Sequence, residues 1–289
     1  MIEESELILN PDGTIFHLHL LPEQVADRVI LVGDPGRVKM VSSMFDSTEM
    51  MVSNREFVTA TGSYHGHRFT VISTGIGTDN VDIVMNELDA LVNIDLARRE
   101  IKPEHRSLQL VRIGTTGGLQ RDIPVNSWIV SRCSVGFDGM LAFYANRKDY
   151  CDLDFEDALK QYISWPEDFP SPYVVYGAER LLKKLDKAPF VQGVNISAPG
   201  FYGPQGRILR LGLAIPELNT QLEKFRYQGM RITNYEMESS AIYGLSRMLG
   251  HEAVTVCLMI ANRQVKSANE EYHREMETMV REVLNQLTF

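Results

Sequence analysis

The chain has 289 residues, 44% hydrophobic and 23% charged, with 29 basic against 38 acidic side chains and a formal net charge of −9. Such a chain buries roughly three quarters of its unfolded surface and needs no disulfide or metal staple. Its acidity, with no run of Lys/Arg, argues against nucleic acid as a partner.

Cys133, Cys151 and Cys257 are odd in number and never in a CxxC pair, which disfavours a disulfide framework or thiolate zinc site and fits a reducing cytoplasm. Met1 to Asn10 is acidic rather than basic, and no apolar run approaches the ~20 residues of a membrane span. Neither secretion nor insertion is expected, so the Asn195-Ile196-Ser197 sequon is expected to stay unglycosylated.

The first element in chain order is a buried strand at Val29–Val32, followed by the turn Gly33-Asp34-Pro35-Gly36-Arg37 and a helical run. Arg55–Thr74 reads as two alternating strands joined near Ser63-Tyr64-His65-Gly66, the second spanning Arg68–Thr74. Asp79–Leu91 carries Val81, Val84, Leu88 and Leu91 at helical spacing. Further strands are expected at Leu108–Ile113, Trp128–Val130, Val191–Ser197 and Ala253–Ile260, each rich in β-branched residues. Trp165–Pro172, with three prolines, is expected to be an irregular surface excursion between helical stretches. Tyr235–Leu249 is expected to be a helix stopped by Gly250. A last helix is expected after the capping-box pattern Ser267-x-x-Glu270, with Tyr272, Met276, Met279, Val280, Val283 and Leu287 inward. Interleaved strands and helices predict a layered α/β fold with a mixed sheet, and no linker or repeat divides residues 1–289 into more than one domain.

Four segments carry chemistry. In Gly33-Asp34-Pro35-Gly36-Arg37, a glycine turn between strand and helix can converge backbone N–H groups on an anion, with Arg37 a bidentate donor; a tight turn with a solvated arginine is the other reading. Arg112-Ile113-Gly114-Thr115-Thr116-Gly117-Gly118 supplies a second arginine, two hydroxyls and three glycines at a strand end, and alone is a common glycine turn. Both turns follow candidate neighbouring strands, whose carboxyl ends are where open α/β sheets collect ligands. In Tyr235-Glu236-Met237-Glu238-Ser239-Ser240-Ala241, the glutamates suit the first turn of a helix through its dipole, while the small residues after them permit close backbone approach. One glutamate could then accept from sugar hydroxyls. In Phe201-Tyr202-Gly203-Pro204-Gln205-Gly206-Arg207, a Gln amide two residues before an Arg matches the carbonyl, N–H, carbonyl edge of uracil, though the segment also reads as an ordinary loop. His17-x-His19 and His65-x-His67 lack further ligands at zinc spacing. The glycine spacing is not that of a dinucleotide site.

Taken in order, GDPGR, RIGTTGG, FYGPQGR and YEMES resemble the nucleoside phosphorylases of the uridine phosphorylase family, over about Phe16 to Arg263. The resemblance implies a three-layer α/β fold whose mixed sheet curls into a distorted barrel surrounded by helices. It implies reversible phosphorolysis of uridine to uracil and ribose 1-phosphate, with deoxyuridine and thymidine left open as substrates. By this likeness Gly33, Arg37, Arg112 and Thr115 bind phosphate, and Arg55 reaches the phosphate of the neighbouring subunit. Glu238 holds the ribose hydroxyls, with Glu236 and Met237 beside it and Thr116 and Gly117 near sugar and base. Phe201, Gln205 and Arg207 recognise uracil, Ile260 and Ala261 lie on the base side, and His17 crosses the dimer interface to the 5′-hydroxyl. Arg112, Arg207 and Glu238 are the expected catalytic set.

No cofactor is implied beyond phosphate as co-substrate. The expected minimal unit is a homodimer, with a homohexamer in bacterial relatives. Some relatives hold potassium through a glutamate matching Glu56, where this chain has Asn80 in place of a serine. The stretch Cys257–Arg263 lacks the acid that purine-cleaving relatives carry, which favours pyrimidines. The alternatives are a purine phosphorylase or nucleosidase of the same fold, or a non-catalytic nucleoside-binding protein. The connections Ile94–Arg106 and Asp138–Pro172 are longer, and Ala261 smaller, than in compact bacterial enzymes.

Overall fold

The computed structural model describes residues 1–288. The chain opens with β1 (Arg28–Val32), α1 (Pro35–Ser42), β2 (Ser47–Asn54), β3 (Phe57–Tyr64), β4 (His67–Ser73) and α2 (Thr78–Asn93). A short pair, β5 (Ile94–Asp95) and β6 (Glu100–Ile101), leads to the long strands β7 (Gln109–Gly118) and β8 (Trp128–Gly136). Then come α3 (Leu153–Ile163), β9 (Tyr173–Tyr176), α4 (Glu179–Lys184), β10 (Phe190–Ser197), α5 (Leu218–Lys224), β11 (Arg226–Tyr227) and β12 (Met230–Glu236). The chain ends through α6 (Ser239–Met248), β13 (Glu252–Asn262), β14 (Ser267–Ala268) and α7 (His273–Thr288).

One mixed sheet runs in the order β11-β12-β10-β8-β13-β7-β1-β4-β3-β2. β1 is parallel to β4 and β7, and β13 is parallel to β7, while β8 crosses β13 antiparallel. β7 also meets β12 through Gly117↔Tyr235 and Gly118↔Asn234. That contact turns β7, β13, β8, β10 and β12 back on themselves. Because it is confined to these residue pairs, the expected distorted barrel is a curled sheet that does not close cleanly.

Strand alternation sorts the core into layers. Val29 and Leu31 of β1 and Leu110 of β7 pack with α2 and α6, whereas Ile30, Val32, Val111 and Ile113 pack with α1 and α7. A further cluster joins Phe155 and Leu159 of α3 and Leu222 of α5 to Val135, Ile196 and Ile232 of the strands. By parity Arg112 therefore faces the α2/α6 side, a placement the site depends on.

Four sequence expectations need correction. Tyr235 and Glu236 end strand β12, and the helix starts only at Ser239, because the β-branched Ile232 and Thr233 continue an extended run into the sheet. Arg112 to Gly118 is not a glycine turn: β7 runs through Gly118, where the lack of a side chain makes room for Met259 and Asn262 of β13. A Cβ at Gly118 would stand 2.7 Å from the Met259 sulfur. Ser267 caps no helix; Ser267–Ala268 pairs with β13, and α7 begins at His273. The Trp165–Pro172 excursion is irregular as expected, but it leads from α3 into strand β9 rather than into a helix. By contrast, the hairpin between β3 and β4 turns at His65-Gly66, both with positive φ, as expected.

The α6 residue Tyr243 ties this frame together. Its fully buried hydroxyl donates to the Ser131 carbonyl and accepts from Thr255 N–H, both at 2.7 Å. Tyr243→Phe strands both backbone groups, and since each buried unpaired group costs about 1–3 kcal/mol, urea denaturation should show a loss of roughly 2 kcal/mol or more.

Candidate active site

A cavity of about 640 Å³, within the range of small-molecule pockets, opens at the carboxyl ends of β1, β4, β7, β12 and β13. Gly33 and Arg37 enter it after β1, Gly75 and Ile76 after β4, and Arg112 with Gly114, Thr115, Thr116 and Gly117 from β7. Tyr235 to Glu238 enter from the β12–α6 turn, Ile260 and Ala261 from β13, and Phe201, Gln205 and Arg207 from the loop after β10. The β-bulge between Met259 and Ala261 shifts the register where Ile260 and Ala261 reach the cavity. A neighbouring cavity of about 300 Å³, lined by Phe137, Trp165, Phe169 and Leu213, has no charged side chain in its wall and so no counter-charge for an anion.

One end of the cavity is a buried ion cluster. Arg112 Nη2 donates to Glu238 and lies 3.4 Å from Glu236, while its Nη1 points to the Cys257 sulfur at 3.3 Å. Gly114 leaves the space for this guanidinium, since a Cβ there would fall 2.1 Å from Nη1. Glu236 is fully engaged: it accepts from Asn195 Nδ2 at 2.6 Å, from the Ser197 hydroxyl, and from the N–H groups of Glu238 and Ser239, each at 2.9 Å. It thereby satisfies the start of α6 from the strand end, which is how a glutamate near a helix N-terminus came to be here. Glu238 accepts from Gly77 N–H at 2.9 Å, at the start of α2.

Electrostatics follow from this burial. Burial works against the Arg112 charge, but Glu238 and Glu236 outweigh it and hold the guanidinium above its ordinary pKa. Burial pushes Glu238 up, with Arg112 opposing and Glu236 reinforcing. Arg37, also buried, is lowered by desolvation and then by Arg112; its Nη1 donates to the Ile113 carbonyl at 3.3 Å. The Cys257 thiol is pushed up to about 12 by burial, so it stays protonated. Thr116 is spent internally, donating to the Tyr235 carbonyl at 2.6 Å and accepting from Asn234 Nδ2 at 2.7 Å.

The other end carries a second cationic group. Arg207 lies over the Phe201 ring at 3.6 Å and donates to Gln205 Oε1 at 2.8 Å. Arg263 donates to the Gln205 carbonyl and, at 3.0 Å, to the same Oε1. With Oε1 committed to two guanidinium groups, the amide nitrogen is the end of Gln205 that remains a donor. Burial lowers Arg207, and burial together with Arg207 lowers Arg263 to about 10.

The structure thus brings together every expected site residue except His17, Arg55 and Glu56. His17 pairs with Glu87, and Arg55 stands at the exposed β2–β3 turn over the Phe16 ring at 5.6 Å. Glu56 and Asn80 flank Gly75, where a Cβ would meet Asn80 Nδ2 at 2.4 Å and Glu56 Cγ at 3.5 Å. Asn80 carries an amide oxygen beside its N–H₂, and no step below uses potassium. Of the first histidine pair, His19 turns to Asp12 at 3.1 Å and His17 to Glu87. Asp89, His105 and His251 do bring ligand-type atoms within 4.8 Å. However, His251 Nδ1 accepts Leu108 N–H at 3.1 Å, so in the neutral ring Nε2 carries the hydrogen and faces Asp89 at 3.2 Å. A metal there would require a doubly deprotonated ring.

Sequence reasoning missed Gly75-Ile76, Tyr235 and Arg263. Gly75-Ile76-Gly77 was findable as a third glycine turn after an apolar strand, whereas Arg263 gave no signal, because its partner Gln205 is distant in sequence.

The chain matches the family model described as the phosphorylase superfamily over residues 27–288. It is 30% identical to the uridine phosphorylase of Escherichia coli K12 across 91% of this chain and 92% of that one. It is 29% identical to the uridine phosphorylase of Thermococcus kodakarensis, across 87% and 79%. A crystal structure of a Trypanosoma brucei nucleoside phosphorylase, described as showing uridine phosphorylase activity, superposes with a TM-score of 0.87 at 28% identity, covering 98% of this chain and 99% of that one. Among the described residues no helix is long and apolar enough to cross a membrane.

The raised pKa of Glu238 fixes a sign. A carboxyl raised in the folded state contributes stability that is present below the ordinary value of 4.5 and lost as pH rises through the folded value. Glu238→Gln removes that dependence. The difference in Tm between variant and parent, measured without phosphate, should therefore shift in favour of the variant between pH 4 and pH 7.

Proposed function

The chain belongs to the phosphorylase superfamily, and from that membership we propose that it is a uridine phosphorylase, a pentosyltransferase converting uridine and phosphate reversibly to uracil and ribose 1-phosphate. The observation that carries this reading is the division of one cavity between Arg37 with Arg112 at one end and Arg207 at the other, with Glu238 beside the first and Arg263 bonded to Gln205 beside the second.

The chemistry follows from charge development. As the bond at C1′ breaks, the sugar becomes positive and the departing base negative. A phosphate seated by Arg37, Arg112, Thr115 and the N–H groups near Gly33 stabilises the first, and supplies the nucleophile. Arg207 and the Gln205 amide stabilise the second on the uracil edge, with Phe201, Ile260 and Ala261 against its face. Glu238 accepts from the ribose hydroxyls, with Met237 beside the sugar and Thr116 and Gly117 at the junction of sugar and base. Positioning and preorganised charge dominate over proton transfer.

Arg55 and His17 have a role in this reading only across an interface, so the minimal unit is a homodimer, and we place the enzyme in the cytoplasm. The curled sheet running continuously from β2 to β11 supports reading the chain as one domain.

The first test is a nucleoside panel with and without inorganic phosphate. Uridine should turn over only with phosphate, releasing ribose 1-phosphate, and turnover of inosine but not uridine would defeat the proposal. The second separates the two ends. Arg112→Lys keeps a buried cation but loses the fork, so kcat/KM should fall by about 100-fold with a raised phosphate KM. Arg207→Ala should act on the nucleoside side instead, leaving phosphate KM near the parent value.

A further inference from the structure

We infer that Glu87 is the positioning residue that sets the His17 ring toward the 5′-hydroxyl of the nucleoside bound by the neighbouring subunit; this rests on the reading of His17 above. Glu87 lies in α2, about 70 residues along the chain from His17, yet its carboxylate closes around His17 and the N–H of the residue after it. Oε1 and Oε2 each accept His17 N–H at 3.0 Å, Oε2 also accepts Leu18 N–H at 2.8 Å, and Oε1 meets His17 Nδ1 at 2.6 Å. From β2, Asn54 Nδ2 donates to the His17 carbonyl at 2.8 Å, so donors and acceptors fix the backbone on both sides. The Phe16 and Phe57 rings meet the imidazole edge-on, with centroids at 4.7 and 6.5 Å.

This arrangement has a chemical consequence beyond holding the segment. A carboxylate has no proton to give, so Nδ1 must carry the hydrogen, and in the neutral ring Nε2 is left as the acceptor. Among the described residues Nε2 has no partner within the protomer. The imidazole keeps 28% of its surface while the Glu87 side chain keeps 13%, so the acid is spent inward and the ring remains reachable. A ring locked in one tautomer and one orientation suits a hydroxyl that donates to Nε2. A free histidine would have to select both on binding.

The experiment is a double-mutant cycle read as the ratio of kcat/KM for uridine to that for 5′-deoxyuridine, which lacks the hydroxyl. His17→Ala should collapse the ratio by about tenfold, the worth of one well-made hydrogen bond. Glu87→Gln should produce a comparable drop in the parent and no further drop in the His17→Ala background. A parental ratio in Glu87→Gln alongside a collapsed ratio in His17→Ala would overturn the inference while leaving the role of His17 intact. An unchanged ratio in His17→Ala would overturn that role and the inference with it. Because Glu87→Gln also disturbs two backbone N–H groups, ¹⁵N-histidine NMR of the unmodified protein is the second measurement. The neutral His17 ring should be the Nδ1–H tautomer, and the Nε2–H tautomer would overturn the inference.

Discussion

A single buried guanidinium holds this molecule's site in shape. Arg112 is only 5% exposed, and the carboxylates on either side of it, Glu236 and Glu238, are each 4% exposed. Taking ions out of water costs several kcal/mol each, and such a cluster persists only where its geometry and hydrogen bonds compensate. Here one cation faces two anions, and Arg37 supplies the second cation, so the four charges balance. An anion entering beside the two arginines upsets that balance. That negative charge would stand next to Glu238, whose pKa is already raised by burial and by Glu236.

The fold can be read as the set of conditions that permit this cluster. β7 must carry Arg112 at the parity that faces α6, which its alternation with Val111 and Ile113 enforces. Gly114 must lack a side chain, because the guanidinium occupies the space where one would be. β12 must end at Glu236, so that the two glutamates straddle a strand-to-helix turn and point to one arginine from different backbone elements. Gly77, with φ at +100°, must leave its N–H aimed at Glu238. Each condition is local, but they meet only because β1, β7 and β13 lie side by side and parallel.

Much of this was legible in the sequence, and the parts that were not have identifiable causes. The buried parallel strands read clearly because runs such as Val29–Val32 and Ala253–Ile260 are continuous and β-branched. The cavity residues read well because three motifs combine glycine with arginine and the fourth places two glutamates ahead of a run of small residues. The helix boundary at Glu236 was misplaced because the run Tyr235 to Leu249 has helical spacing throughout; only pairing with β10 and β7, a tertiary contact, decides that its first two residues extend a strand. The same contact turned an expected glycine turn at Gly117-Gly118 into strand. Ser267-x-x-Glu270 misled because a capping box and a short edge strand share residue types. Arg263 was invisible as a site residue, since its meaning comes from Gln205, whose oxygen it shares with Arg207.

The pairing of Glu236 with Glu238 also bears on which nucleophile the cavity can use. A glycosidase needs two carboxyl groups flanking the scissile bond, about 5–5.5 Å apart to form a covalent intermediate or roughly 6.5–9.5 Å apart to leave room for water. In this cavity both glutamates converge on the same guanidinium, so they stand on one side of whatever they bind. Glu236 is saturated by donors from Asn195, Ser197 and the start of α6, and has no capacity left to take a proton from water. Asp34, the other acid in the wall, accepts from Gly36 N–H at 2.8 Å as the N-cap of α1. Glu238 alone retains room: Gly77 N–H and Arg112 each hold one of its oxygens, which leaves it lone pairs for hydroxyl donors. A nucleophile that arrives already charged needs no base, only cations to seat it, and Arg37 and Arg112 are such cations. The distribution of charge in this cavity therefore favours phosphorolysis over hydrolysis on grounds independent of any relative.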